Sequence, residues 1–182
     1  VIRELVDFCS THPRFPRGER RFVPSSPVDL RVDQTREEMI SCLEGIRGQN
    51  TTADLAFYTY RDIPRSDWRP FLKAALERNP VILRATADLD IPDCYRVLSN
   101  LADRSIYDGN RLAQPDEMWN FKRGDGLEKS IGLAAILRNR RPGTDLAWSR
   151  KGREITLRTE ANEPFRFSSD KSLSPPGAKD LP

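Results

Sequence analysis

The spacing of apolar and polar positions predicts a mostly helical chain with a few short strands. Apolar residues recur at helical intervals in residues 1–8, 39–46, 66–76 and 90–101. Residues that commonly cap helices precede the last three stretches. The capping candidates are Asp33 or Thr35, Ser66, and Asp90 or Pro92.

Alternating apolar residues, or β-branched and aromatic residues, predict the strands. They are predicted at residues 28–32, 81–83, 146–148, 154–158 and 164–167. Residues 54–60 could form a strand or a helix, and their aromatic and β-branched content favours the strand. Arg150-Lys151-Gly152 has turn chemistry and separates two of these stretches, which predicts a hairpin. We therefore expect an α+β fold in which helices pack on a small antiparallel sheet.

One domain covering residues 1–167 accounts for all of these elements, because a chain of 182 residues is of ordinary single-domain size. Residues 168–182 contain three prolines and scattered charges without apolar periodicity. This composition predicts a flexible C-terminal tail.

The most informative stretch is residues 114–138, QPDEMWNFKRGDGLEKSIGLAAILR. It opens with a helix-entry signal, Pro115-Asp116-Glu117, and crosses two aromatic residues for which core packing is the default. The Gly124-Asp125-Gly126 turn follows, and residues 127–137 then form an apolar helix. Asp125 is placed to cap this helix and Glu128 to complete a capping box.

Composition adds a marked preference for arginine. Only six of the 30 basic residues are lysine, which leaves 24 arginines, although the net charge is only +3. Guanidinium groups suit carboxylates, phosphates and aromatic faces. An arginine-rich nucleic-acid-binding domain is therefore one alternative function, and it predicts affinity that falls steeply with salt. The candidate residues are Arg17, Arg20, Arg21, Arg140, Arg141 and Arg150.

Cysteine and histidine usage indicates neither a disulfide framework nor a cofactor. The three cysteines are widely spaced, and Cys9 and His12 provide only two of the four ligands that a structural zinc ion needs. No apolar run is long enough to span a bilayer, so we expect a cytoplasmic protein without a membrane partner. Because the chain begins at Val1 rather than Met, we expect it to be part of a larger bacterial protein.

The order of motifs in the central stretch resembles the nucleophile segment of the transglutaminase-like superfamily, which has a papain-like fold. In that family a Gly-Asp-Cys turn opens a helix rich in Ala and Leu that ends in Leu-Arg, and antiparallel strands follow. The similar region covers residues 111–167. The matching residues are Pro115, Glu117, Trp119, Gly124, Asp125, Glu128, Lys129, Leu133, Ala134, Ala135, Leu137 and Arg138.

The resemblance fails at the residues that would carry the chemistry. Gly126 occupies the position of the nucleophilic cysteine, and no histidine follows His12. Cysteine acyl transfer needs a thiolate activated by a base. The resemblance therefore implies a catalytically inactive transglutaminase-like domain, without cofactor or metal, that binds a ligand or a protein partner.

The helix start itself is a candidate site for a small anion. Free N–H groups and the positive end of the helix dipole favour a carboxylate or phosphate there, and glycine allows close approach. The predicted anion pocket consists of Lys122, Arg123, Gly124, Asp125, Gly126 and Lys129. The alternative is a tight turn that needs glycine for structural reasons only.

Neighbouring carboxylates leave a second alternative open, a hydrolase or transferase that uses acid–base catalysis or magnesium. The candidates are Asp116, Glu117, Asp125 and Glu128. Carboxylates this close to a helix start more commonly interact with the helix dipole.

Overall fold

The computed structural model describes residues 26–160, 162–177 and 180–181, and within these residues the chain is α+β. The helices are α1 (Arg36–Ile46), α2 (Thr51–Tyr60), α3 (Trp68–Glu77), α4 (Pro80–Ala85), α5 (Ile91–Ser99), α6 (Pro115–Phe121) and α7 (Gly126–Arg140). A 3-10 turn at Ile63–Arg65 joins α2 to α3. The strands are β1 (Ala147–Lys151), β2 (Glu154–Thr159) and β3 (Asn162–Ser168).

The strands form one antiparallel sheet in the order β1-β2-β3. The hairpin between β1 and β2 turns at Gly152, whose φ of 59° lies in the left-handed region that glycine adopts without strain. A register shift follows Leu157 in the pairing of β2 with β3. The predicted hairpin and third strand are confirmed.

Helix α7 is the centre of the fold. Its first twelve residues, from Gly126 to Leu137, are all buried. It packs against helices α3, α4, α5 and α6 and against strands β2 and β3. A helix that is covered on all sides needs apolar or small residues around its whole circumference, and the Gly, Ala, Leu and Ile residues of α7 supply them.

Several other predicted elements agree with the structure. Helix α5 begins after Asp90, whose carboxylate accepts the Asp93 N–H at 2.7 Å. Helix α3 begins one residue later than predicted, because Asp67 rather than Ser66 is its cap. Thr35 caps α1, whose apolar stripe is only partly buried.

Three strand predictions in the N-terminal half are wrong. Residues 28–32 form no strand, and residues 54–60 lie in helix α2, where Asn50 caps the helix by accepting the Ala53 N–H at 3.1 Å. Residues 81–83 lie in helix α4, whose first turn contains Pro80. In residues 54–60 and 81–83 the helical conformation therefore prevails over a β-branched and aromatic composition.

The segment that begins at the last residue of β3 packs against the body of the protein. We call residues 168–173 the C-terminal strap. Within it Ser169, Lys171 and Leu173 are buried, although the sequence predicts a flexible tail from residue 168. Arg150 of β1 holds the strap by donating to the carbonyl oxygens of Lys171 and Leu173.

The predicted helix at residues 1–8, the Cys9–His12 pair and the N-terminal arginines Arg17, Arg20 and Arg21 lie outside the described residues. Among the helices that the structure describes, none combines the length and the apolarity that crossing a membrane requires.

Candidate functional site

The start of helix α7 has the capping box predicted from the sequence. The Asp125 carboxylate accepts the Leu127 N–H at 2.9 Å and also the N–H of Glu128. In return, Glu128 Oε2 accepts the Asp125 N–H at 2.8 Å. The protein's own carboxylates therefore satisfy the donors that an anion would otherwise find at this helix start.

Gly126 lies directly against the main chain of the C-terminal strap. A Cβ atom added at Gly126 would overlap the carbonyl group of Ser168. The strap is fixed there by Asp125, which accepts the Ser169 hydroxyl at 2.6 Å and the Asp170 N–H at 2.8 Å. Backbone therefore fills the space where a side chain at position 126 would lie.

Gly124 is also required by close packing. A Cβ atom there would lie 2.5 Å from Met118 Cγ, and the Gly124 N–H donates to the Ala102 carbonyl at 3.0 Å. The turn is thus sandwiched between α6 on one side and the strap on the other. Its two glycines meet structural demands, which agrees with the structural alternative considered for this turn.

Two cations of the predicted anion pocket, Lys122 and Lys129, have partners elsewhere in the protein. The Lys122 ammonium lies 4.0 Å from the centroid of the Trp119 ring. Arg123 pairs with Ala102 through an isolated β-bridge. Lys129 is buried, and its ammonium donates to the Leu101 carbonyl at 2.6 Å and to the Asp103 carboxylate.

The predicted carboxylates serve mainly as acceptors for backbone N–H groups. Asp116 accepts the N–H groups of Val81 and Ile82 at 3.0 and 2.8 Å and thereby caps α4 from a distance. Burial raises the pKa of Asp116, although these two N–H groups oppose the shift. This carboxylate is occupied with holding α4 against α6.

Glu117 belongs to a charged cluster at the start of α6. Its carboxylate pairs with both terminal guanidinium nitrogens of Arg61 and accepts the Tyr107 hydroxyl at 3.0 Å. Burial disfavours ionisation of Glu117, but Arg61 and the Gln114 N–H outweigh it and hold the pKa below its usual value. Glu117 is therefore a structural anion.

Glu128 is the most deeply buried carboxylate of the set, with 1% of the residue exposed. Oε1 accepts the Ser105 hydroxyl at 2.6 Å and the Ala113 N–H at 2.7 Å. Burial raises its pKa, while these donors, the Asp125 N–H and the charge of Lys171 oppose the shift. Its oxygens already have protein donors and are not open to a reacting group.

A polar cleft of about 280 Å³ opens beside the start of α7. Its walls come from the loop between α5 and α6, from Asp125 and from the C-terminal strap. The lining residues are Asp103, Arg104, Ser105, Tyr107, Asp108, Gly109, Asn110, Asp125, Asp170, Lys171 and Ser172. Of the six predicted pocket residues, only Asp125 lines this cleft.

Lys171 is the most deeply buried of the cleft residues that sequence reasoning missed. It occupies the segment predicted to be a tail, and its ammonium donates to the carbonyl oxygens of Tyr107 and Gly109, both at 2.9 Å. These contacts join the strap to the loop that forms the opposite wall. No local pattern around Lys171 signals its burial, because its partners lie more than 60 positions earlier in the chain.

A second cavity of about 200 Å³ lies between α2, α3 and the start of α6. Ile63, Pro70 and Phe71 contribute apolar walls. The Arg61 guanidinium at its edge is already paired with Glu117. This cavity offers fewer groups than the polar cleft for orienting a charged ligand.

The arginines proposed for nucleic-acid binding are largely engaged within the protein where the structure describes them. Arg140 donates to the Thr86 carbonyl at 2.6 Å, and Arg150 anchors the strap. Arg141 is exposed at the end of α7. Elsewhere, Arg111 stacks on the rings of Tyr60 and Tyr107 at 4.3 and 4.2 Å. Nucleic-acid binding stays a prediction.

Among the described residues, no group of three or more His, Cys, Asp or Glu side chains could hold a metal ion. The chain matches no protein-family model, no curated protein and no solved structure. The residues of the site are therefore the sole basis for a functional proposal.

Proposed function

We propose that this chain is a catalytically inactive transglutaminase-like domain that binds a ligand in the polar cleft beside the start of α7. The binding function would be that of a module within a larger protein. The cleft, rather than the Gly124-Asp125-Gly126 turn itself, is the proposed site.

The contact between Gly126 and Ser168 is the observation that carries the proposal. In an active member of the family the side chain at the start of this helix is the nucleophile. Here that position has no side chain, and the main chain of the strap occupies the adjoining space. With no histidine after residue 12, the chain also lacks the base for cysteine chemistry.

The arrangement of carboxylates supports binding over acid–base catalysis. Asp116, Asp125 and Glu128 each accept two or more protein donors. A general acid or base needs a lone pair or proton within reach of the substrate. The cleft, in contrast, presents several polar side chains around an open space, which is the usual construction of a small-ligand site.

Two measurements test this proposal. Acyl-transfer and peptidase assays are expected to show no turnover above a blank. A fragment library screened by two-dimensional NMR is expected to contain compounds that shift the amides of Gly109 and Ser172, which line the cleft.

A pair of variants locates the binding. Ser172→Trp fills the cleft and should abolish the shifts, whereas Ser174→Trp, at an exposed position that does not line the cleft, should retain them. Turnover that is lost in Asp125→Ala would contradict the catalytic part of the proposal. A library without any compound that perturbs the cleft would contradict the binding part.

A further inference from the structure

We propose that the polar cleft recognises a small zwitterion, an α-amino acid, whose carboxylate pairs with Lys171 and Arg104 and whose ammonium pairs with Asp108. This inference rests on the proposed function, because it names the ligand class of the same cleft.

The argument begins with the buried ammonium of Lys171. The residue is 7% exposed, yet no carboxylate lies within ion-pair distance of it among the described residues. Two of its three N–H donors bind carbonyl oxygens, and the third has no acceptor in the described part of the chain. A buried charge is costly unless an opposite charge compensates it, and Glu128, Asp125 and Asp108 compensate this one only from beyond ion-pair distance. A carboxylate entering the cleft would therefore gain a cationic partner that is already fixed in place.

Arg104 supplies a second cation to the cleft, from the loop opposite the strap. It is exposed, and its guanidinium makes neither a hydrogen bond nor an ion pair with another described residue. A guanidinium beside an ammonium is a favourable combination for a carboxylate, because the fork of the guanidinium can donate two parallel hydrogen bonds.

The acidic residues of the cleft differ in whether a cation or a hydrogen-bond donor of the protein already pairs with them. Asp103 pairs with Lys129, and Asp170 pairs with Arg153. Asp125 accepts the donors of the strap and of α7. Asp108 alone makes no hydrogen bond or ion pair within the described residues, and it is exposed at the cleft.

The charges left for a ligand are therefore two cations and one carboxylate around a single small space. A simple anion would satisfy Lys171 and Arg104 but would leave Asp108 unpaired and would face the remaining aspartates. A ligand with a carboxylate and an ammonium is complementary to both kinds of charge. The volume of about 280 Å³ lies just below the range of about 300 to 1,000 Å³ typical of drug-sized ligands, which favours a smaller molecule.

Ligand binding should also depend on pH through Lys171. Burial lowers the pKa of this ammonium; Glu128, Asp125 and Asp108 oppose the shift, and the charge of Arg111 reinforces it. A bound carboxylate stabilises the protonated form. Affinity is therefore expected to decrease as the pH rises through the lowered pKa of Lys171.

The experiment uses the twenty common L-amino acids, with affinity measured by NMR shifts of the Gly109 amide and of the Lys171 Cε–H group. The amino acid that binds best is then compared with its two halves: the deaminated carboxylic acid and the decarboxylated amine. We expect each half to bind at least about tenfold more weakly than the whole zwitterion. Equal binding of either half would overturn the assignment.

Variants identify the contacts. Arg104→Ala and Asp108→Asn change exposed side chains and should each weaken binding at least about threefold without lowering the melting temperature. Arg78→Ala, an exposed arginine that does not line the cleft, is the matched control. Lys171→Met should remove both binding and the pH dependence. Unchanged affinity in Asp108→Asn would overturn the zwitterion assignment.

The same data separate this inference from the proposed function. If no amino acid binds but another compound shifts the cleft amides and is blocked by Ser172→Trp, the zwitterion assignment fails and the binding module stands. If no compound of any class perturbs the cleft, both fail.

Discussion

Helices α1 and α7 begin with the same local motif in very different surroundings. At α1, the Thr35 hydroxyl accepts the Glu38 N–H at 3.2 Å and Glu38 accepts the Thr35 N–H at 2.8 Å. At α7, Asp125 and Glu128 make the equivalent reciprocal contacts. The first pair is exposed, whereas the second is buried.

The difference lies in the partners that come from elsewhere in the chain. At α7 the two carboxylates also accept donors from Ser105, Ala113, Ser169 and Asp170. Helix α1 has no buried residue, and α7 has twelve. The capping box thus fixes where a helix begins, while distant donors decide whether that beginning becomes part of the core.

The same glycine-to-alanine change in each helix should give the largest contrast. Gly126→Ala forces a methyl group into the Ser168 backbone and should lower the free energy of unfolding by more than about 4 kcal/mol, or prevent folding. In Gly45→Ala the added methyl group enters open space beside α1, and the substitution should raise the free energy of unfolding by about 1 kcal/mol. Urea denaturation measures both. A tolerated Gly126→Ala would mean that the strap can move away from α7.

A leucine deletion in each helix should produce the next largest difference. Leu133 is fully buried, so Leu133→Ala should cost about 3 kcal/mol of unfolding free energy. Leu43 of α1 is only partly buried, and Leu43→Ala should cost less than about 1 kcal/mol. Equal losses would show that α1 is buried in solution. Thermal denaturation with matched urea curves measures the two values.

Changing the glutamate of each capping box tests the role of the distant donors. In wild type both oxygens of Glu128 face N–H or O–H donors. In Glu128→Gln an amide N–H₂ group replaces one of these oxygens, and we expect the free energy of unfolding to fall by about 2 kcal/mol. Glu38 is exposed to solvent, so Glu38→Gln should change the free energy of unfolding much less. Urea denaturation at neutral pH compares the pair, and similar losses would contradict the distinction between the two boxes.

A pH series should give the smallest effect. Because burial raises the pKa of Glu128, its carboxyl group binds a proton more tightly in the folded state than in the unfolded chain, where this glutamate titrates near 4.5. The stability that wild type has over Glu128→Gln should therefore be greatest below pH 4.5 and decrease as the pH rises through the raised pKa. Urea curves between pH 3.5 and 8 measure this difference. A difference that increases with pH would indicate a lowered pKa instead.

Local chemistry was sufficient to predict several of the elements whose caps lie within a few residues. Helix α5 with Asp90, helix α7 with Asp125 and the hairpin at Gly152 were all predictable in this way. Each depends on a side chain or a glycine conformation within one turn of the element. The α+β class followed from these elements.

Two of the failures, at α4 and at Lys171, have a different cause, because the deciding partner is remote, whereas the cap of α2, Asn50, is local. The N–H groups at the start of α4 are capped by Asp116, 34 and 35 residues later. The composition of residues 81–83 alone favours a strand, and no window around them contains the cap. Lys171 was missed for the same reason, since its acceptors belong to the loop before α6.

The hydrogen bond from Ser169 to Asp125 spans 44 residues, whereas the capping box beside it spans three. The short contacts close with little loss of chain entropy, and the long contact requires the intervening hairpin to be in place. During synthesis the strap leaves the ribosome only after the whole sheet, so α7 acquires its N-terminal cover late. Until then, the local capping box already covers the helix N–H groups, but Gly126 and the outer side of the Asp125 carboxylate still lack the cover that the strap provides.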